Sequence, residues 1–306
     1  MKRTSRSASH KINKLRWFAL SLCLLLLCAC LPKEIPPPLP PQRQAKIAIV
    51  LGAGASKGFA HVGVLKVLQS HKIPIHLIVG TSAGSFVGSL YASGIDAFQL
   101  QKMALELQKD DVVDWIIPDN GFIRGEKLEN YVNKMVRQIP IERMKIPFRV
   151  VATNLQTGDE IVFATGNTGK AVRASCSIPG VFQPFRIGDK AYVDGGVVSP
   201  VAVDAARKAG ADIVIAVDIS AGVADAVPQG ILDTILQSVD IMYAKIAMVQ
   251  LKGADVVIRP QVSHIGSSDF EKRNEAILEG EKAATQALPQ ILQIIDKLRQ
   301  EGRLES

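Results

Sequence analysis

From Lys46 onward the chain alternates short apolar runs, glycine-rich turns and helical segments, and no other feature narrows its folding options as far. Ile47 to Leu51 leads into Gly52 to Gly58 and then into an amphipathic stretch through Leu65 and Leu68. Ile75 to Val79 leads into Gly80 and a helix of small residues, Ala83 to Ser93. Apolar runs of five residues bounded by glycine read as strands buried on both faces. Such strands alternating with helices pair in parallel, because each helix carries the chain back over the sheet. Phe148 to Ala152, Ile161 to Ala164, Ile213 to Val217 and Val256 to Ile258 are further strand candidates. The expected fold is α/β, a mostly parallel central sheet with helices on both faces.

Ala97 to Ile146 breaks the alternation. Helices are expected around Gln99 to Gln108 and Glu126 to Gln138, with Trp115-Ile116-Ile117-Pro118 and Phe122 between them. These apolar residues either pack the helices on the sheet or form a lid that touches an acyl chain. At the C-terminal end, Ser268 and Glu271 stand at capping-box spacing before a helical stretch toward Leu304, expected to be interrupted near Pro289.

Upstream of Lys46 the composition changes. Residues 1–29 hold six basic side chains (Lys2, Arg3, Arg6, Lys11, Lys14, Arg16) and no acid, so the net charge of +7 belongs almost wholly to them. The near-neutral remainder, about 275 residues, is enough for one large core and lacks the basic excess of a nucleic-acid binder. The apolar run Trp17 to Leu27 is short for a membrane span, and Leu27-Cys28-Ala29-Cys30 resembles a lipobox. Residues 1–29 therefore read as a lipoprotein signal peptide, with Cys30 as the lipidated first residue of the mature chain; an uncleaved signal anchor is the alternative. Residues 30–45, with Pro36, Pro37, Pro38, Pro40 and Pro41, form a stiff spacer. At about 3.1 Å per residue it reaches roughly 45 Å from a bilayer. The folded domain is expected over 46–306. It holds a single cysteine, Cys176, and so no disulfide framework.

Gly80-Thr81-Ser82-Ala83-Gly84 is G-x-S-x-G placed directly after a strand and before a helix, the setting of a nucleophile elbow. Ser82 is then a nucleophile, or simply the cap of the helix that follows. Gly52-Ala53-Gly54-Ala55-Ser56-Lys57-Gly58 has Lys57 where a dinucleotide fingerprint needs glycine, and no acid occurs between Lys46 and Asp96. Phe59 after Gly58 excludes a P-loop. What remains is a loop whose backbone N–H groups, near a helix N-terminus, can hold a negative oxygen. The histidines outside the leader are His61, His71, His76 and His264, so Ser82, Asp194 and His264 have the chain order of a conventional triad. Tyr192-Val193-Asp194-Gly195-Gly196, however, sets Asp194 at a strand end against two glycines, where backbone can close tightly around a carboxylate.

Three blocks, LGAGASKGFAHVGVL, IVGTSAG and ASCSIPGVFQPF followed by YVDGG, resemble the patatin-like phospholipase family, with specific motifs from about Lys46 to Ile219. The resemblance implies a three-layer α/β/α sandwich and a Ser-Asp dyad without histidine. Ser82 falls on the nucleophile and Asp194 on the general base; Gly52, Gly54, Lys57 and Gly58 fall on the oxyanion loop, and Gly80, Gly84, Gly195 and Gly196 on the motif glycines. Ala53 and Ala55 replace glycines found in many members, Lys57 stands where arginine is usual, and His76 precedes the elbow strand where an acid is frequent. The oxyanion site survives the alanines if those positions avoid positive φ. His61 matches a histidine of the first block and reads as structural.

The implied substrate is a phospholipid or lysophospholipid, although thioesters and neutral esters suit the same chemistry. A non-catalytic lipoprotein that binds lipid or a partner is the reading from another class. No metal and no cofactor is expected: the histidines are scattered, and Asp110, Asp111 and Asp114 read as a solvated helix face. The lipid anchor implies the bacterial envelope. Leu31 after Cys30 directs the protein to the outer membrane, facing the periplasm, if the host has one.

Overall fold

The computed structural model describes residues 43–117, 121–220, 222 and 227–305, together with Trp17. Contacts divide the chain into Met1–Gln42 and Arg43–Ser306. Apart from Trp17, the signal peptide lies outside the described residues, as do Cys30 and nearly all of the proline-rich spacer. No described helix is long and apolar enough to cross a membrane.

Eight strands form one sheet: β1 (Ile47–Leu51), β2 (Leu77–Thr81), β3 (Phe148–Asn154), β4 (Glu160–Phe163), β5 (Phe185–Ile187), β6 (Lys190–Asp194), β7 (Ile213–Val217) and β8 (Val256–Ile258). Their order is β5-β6-β3-β2-β1-β7-β8, with β4 also on β3. The five strands β3, β2, β1, β7 and β8 run parallel, as expected of strands linked by helices. The other three are antiparallel. Two of the links are too short for a crossover: Asn154 Oδ1 accepts from the N–H of Gln156 and Thr157 between β3 and β4, and Gly188 (φ 63°) opens the two-residue turn between β5 and β6.

The helices are α1 (Phe59–Ser70), α2 (Ala83–Ala92), α3 (Ala97–Glu106), α4 (Lys109–Val112), α5 (Glu126–Met135), α6 (Thr168–Ser175), α7 (Val203–Lys208), α8 (Ile231–Gln250) and α9 (Arg273–Gln300). Alternation along the strands divides the core. Ile47, Ile49, Leu51, Ile78, Phe148 and Ile215 face the larger layer, built on α1, α2, α3, α5 and α9. Ala48, Val50, Val79 and Ala216 face the thinner layer of α7 and the C-terminal end of α8. The result is a lopsided three-layer sandwich with small side chains where the covering layer is thin.

Four local expectations change. β2 starts two residues late, because Pro74, Ile75 and His76 precede the ladder and His76 Nδ1 accepts the N–H of Ile47 instead. That acceptor role is one a carboxylate also fills. α9 runs unbroken through Pro289: both Pro289 and Thr285, whose carbonyl loses its helical donor, are exposed, so water can replace the bond. The Ser268–Glu271 capping box does not form, since α9 begins only at Arg273 and Asp269 Oδ1 accepts the N–H of Glu271 and Lys272. Of the acidic trio, Asp110 and Asp111 are exposed on α4, where Asp111 accepts from Gln108 N–H, but Asp114 is half-buried and takes the N–H groups of Gly125, Glu126 and Lys127 where α5 begins.

Candidate active site

The sheet itself brings Ser82 to Asp194. β4 occupies one edge of β3, so β2 and β6 share the other edge, with Thr81 beside Val151 and Asp194 beside Ala152. Their C-terminal ends thus meet head to head. Ser82 follows β2 in a left-handed conformation, φ 52° and ψ −124°, which costs an L-residue energy and marks a strained elbow. The elbow is held from three sides. Ser175 Oγ accepts the N–H of Ser82 at 2.8 Å and donates to Val151 O at 2.5 Å. The carbonyl of Ser82 accepts from the N–H groups of Ser85 and Phe86 as α2 begins. Gly84 packs so closely on β1 that an added Cβ would stand 1.9 Å from Leu51 O, and one at Gly80 would stand 2.5 Å from Ser85 Cα.

Asp194 is fully buried. Its Oδ2 accepts from Ser82 Oγ at 2.5 Å and its Oδ1 from Gly196 N–H at 2.7 Å. Burial lifts its pKa from the ordinary 3.8 to about 6, against the lowering effect of those two bonds and of the Tyr243 hydroxyl. Tyr243 lies under the D-G-G turn, its ring 2.3 Å from where a Cβ on Gly196 would be. Its hydroxyl acts on the carboxylate through space and makes no hydrogen bond of ordinary geometry. Gly195 passes against β3, where a Cβ would meet Val151 O at 2.3 Å. Ser175 and Tyr243 carry no sequence signal of their own. They reach the site from α6 and α8, far along the chain.

The glycine-rich loop faces this pair, and its N–H groups are mostly taken. Gly52 donates to Val217 O, Ala53 to Pro200 O, Ser56 to Ser267 O and Lys57 to Gly54 O. Among the described residues no acceptor takes the N–H of Gly54 or Ala55. The loop reading therefore narrows: Gly52 and Lys57 do not offer their N–H groups, and Ala55 does adopt positive φ, 47°, contrary to the condition set for it. Lys57 has a different task. Its buried Nζ donates to Asp240 Oδ2 at 2.8 Å, and Ser267 Oγ joins the same oxygen, tying the loop to α8. Gly58 lets the loop rest on α2, since a Cβ there would be 2.6 Å from Ala83 Cβ. His61 Nε2 bonds Gly52 O at 2.8 Å, and burial lowers its pKa to about 4, so it is neutral and donates.

His264 is placed elsewhere. It is exposed and bonded to Glu275 Oε1 at 2.6 Å, with no hydrogen bond to Ser82 or Asp194, which removes the conventional triad. Cys176 is buried at the cavity wall, and burial pushes its thiol well above the usual range. Among the described residues no three His, Cys, Asp or Glu side chains gather where a metal could sit.

Ser82 opens on a cavity of about 280 Å³ whose walls are almost entirely apolar. α2 lines it at helical spacing through Ala83, Phe86, Val87 and Leu90, and α3 through Leu100, Met103 and Ala104, with Leu107 just beyond its end. Trp115, Ile123, Phe182 and Leu232 complete it. Leu100 and Ala104 are thus both core residues and cavity wall, whereas Trp115 lines the cavity while half-exposed and Ile117 is 91% exposed.

A family model for patatin-like phospholipases matches residues 49–207, just over half of the chain. An uncharacterized NTE family protein of Mycobacterium tuberculosis is 34% identical over 182 residues, covering 57% of this chain and 49% of that protein. Lysophospholipase NTE1 of Debaryomyces hansenii is 33% identical over 195 residues, 62% of this chain and 13% of that protein. The chain spans half the length or less of these curated relatives. The type III effector protein ExoU, of solved structure, aligns with a TM-score of 0.49 and 13% identity over 82% of this chain and 53% of that chain. The matched stretch contains the glycine-rich loop, the elbow serine and the D-G-G turn that the sheet brings together, and the chain belongs to the patatin-like phospholipase family.

Proposed function

We propose that this protein is a serine hydrolase of lipid acyl esters, with Ser82 as nucleophile and Asp194 as general base. One observation carries the reading: a buried carboxylate with a pKa near 6 accepts the hydroxyl hydrogen of a strained elbow serine at the wall of an apolar cavity. Ser82 Oγ attacks the ester carbonyl as its proton passes to Asp194 Oδ2. The tetrahedral oxyanion faces the N–H groups of Gly54 and Ala55, and the proton then goes to the departing alcohol. Water, deprotonated by Asp194, cleaves the acyl-enzyme. Loss of one oxyanion donor typically costs about 10²- to 10³-fold in rate. A carboxylate is a weak base toward serine, and the dry site that raises its pKa toward neutrality is what makes the step accessible.

The apolar walls favour a long acyl chain, and the lysophospholipase named among the relatives supports lysophospholipid or phospholipid as substrate. The test is labelling by a fluorescent fluorophosphonate. Wild type should label, Ser82→Ala should not, and Asp194→Asn should label weakly. A folded wild type that stays unlabelled sinks the catalytic reading in favour of a lipid- or partner-binding lipoprotein.

A further inference from the structure

Among the described residues no other helix exposes as many large apolar side chains as α8. Ile231, Ile241, Met242, Met248 and Val249 are 76%, 41%, 51%, 63% and 67% exposed. At about 100° per residue they fall on one face with Thr234, Ser238 and Lys245, a stripe about 27 Å long at 1.5 Å per residue. Large apolar side chains exposed singly are ordinary, whereas five sharing one side of a helix need a partner. The inner side of α8 meets the cavity, the glycine-rich loop and the Asp194 turn. Leu232 and Leu236 wall the cavity, Asp240 holds Lys57 of the glycine-rich loop, and Tyr243 lies under the Asp194 turn.

We propose that α8 is a membrane-docking helix: its outer face lies in the headgroup region of a lipid bilayer, while its inner face holds the catalytic loop and the acyl cavity. The proposal rests on the lipid-ester reading above. Charge selects the bilayer over a second copy of the chain. The stripe contains Lys245 and is followed by exposed Lys252, while the acids of α8, Asp233 and Asp240, sit on the cavity side. In a twofold self-pair the same patch meets itself, so lysine would find no acid, whereas anionic headgroups supply one. Shallow burial of such an amphipathic face is the known physics of interfacial helices.

Hydrogen exchange on the full-length protein, with and without vesicles of mixed phosphatidylcholine and phosphatidylglycerol, tests this locally, whatever hold the N-terminal segment has on the vesicle. Amides of 231–250 should exchange more slowly on vesicles, and Met242→Glu with Met248→Glu should abolish that protection. The double variant should also hydrolyse vesicle-borne lysophospholipid about tenfold more slowly, with soluble short-chain ester turnover unchanged as the control for folding. Exchange in α8 that ignores vesicles, with the variant equal to wild type on vesicle substrate, overturns the proposal. So does α8 protection that grows with protein concentration in the absence of lipid, which would assign the face to a second copy. If wild type cleaves no soluble ester, the hydrolase reading falls, and α8 exchange on vesicles still decides the docking surface.

Discussion

At neutral pH the Asp194 carboxylate is ionised although water does not reach it, and the hydrogen bonds from Ser82 and Gly196 stand in for hydration. A pKa raised from 3.8 to about 6 makes this residue destabilising when charged, by ~3 kcal/mol at full ionisation. Since the folded-state pKa lies above the unfolded one, the contribution of Asp194 to stability is fullest below pH 4 and is lost as pH rises through 6. Asp194→Asn should therefore stabilise the fold by ~1–3 kcal/mol at pH 8 in denaturant titrations, lose that advantage near pH 4, and cost about 10³-fold or more in turnover. The pH dependence of kcat/KM should show an acid limb with an apparent pKa of about 6. A limb near 4 would mean that the base is not this carboxylate. Ser82 and Asp194 were both legible as residues, because G-x-S-x-G between strand and helix and a carboxylate before two glycines each have a local signature. The elevated pKa was not, because it arises from burial by segments remote in the chain.

At the scale of elements, the glycine-rich loop is held by helices that the alternation could not pair. α1 and α9 cross backbone to backbone: a Cβ on Gly63 would stand 2.0 Å from Ile277 O, and one on Gly280 2.0 Å from Ala60 O. His61, in the first turn of α1, reaches Gly52 from that crossing. Gly280→Val should push the helices apart, lower stability by ~3 kcal/mol or more, and reduce turnover by disturbing the Gly52 carbonyl; a denaturation midpoint and an ester assay on the same sample check both. Arg273, at the start of α9, donates to the carbonyls of Leu105 and Leu107 and closes the end of α3 in the same region. β1, β7 and β8 could be read directly, being apolar on both faces. β5, three residues long with two of them exposed, could not. The continuity of α9 through Pro289 is not legible in the sequence, because a proline breaks a buried helix and is tolerated on a wet face, and only packing says which face is wet.

At the scale of the whole molecule, the domain and its N-terminal segment are separate matters. The anchored envelope location follows from Cys30 and the proline-rich spacer, and we propose it on that ground. Metabolic labelling with a palmitate analogue should mark the protein in its bacterial host and lose the mark in Cys30→Ala, with the variant passing from the membrane to the soluble fraction. Retention of label in Cys30→Ala would return Cys28 or an uncleaved anchor to consideration. On that proposal, a tether through two or more acyl chains would be effectively permanent, and α8 would need only to orient the domain on the surface that holds it. Within the folded part, local chemistry in the sequence determined the α/β class, the elbow, the carboxylate and the loop, because each depends on a few consecutive residues with restricted backbone choices. The tertiary structure alone decided which N–H groups of the loop remain open, that Lys57 serves Asp240, that Tyr243 and Ser175 complete the site, and that His264 stands apart. Those outcomes depend on which carbonyls and carboxylates lie within hydrogen-bond reach, and it is the pairing of β2 and β6 on one edge of β3, together with the packing of α8, that sets those distances.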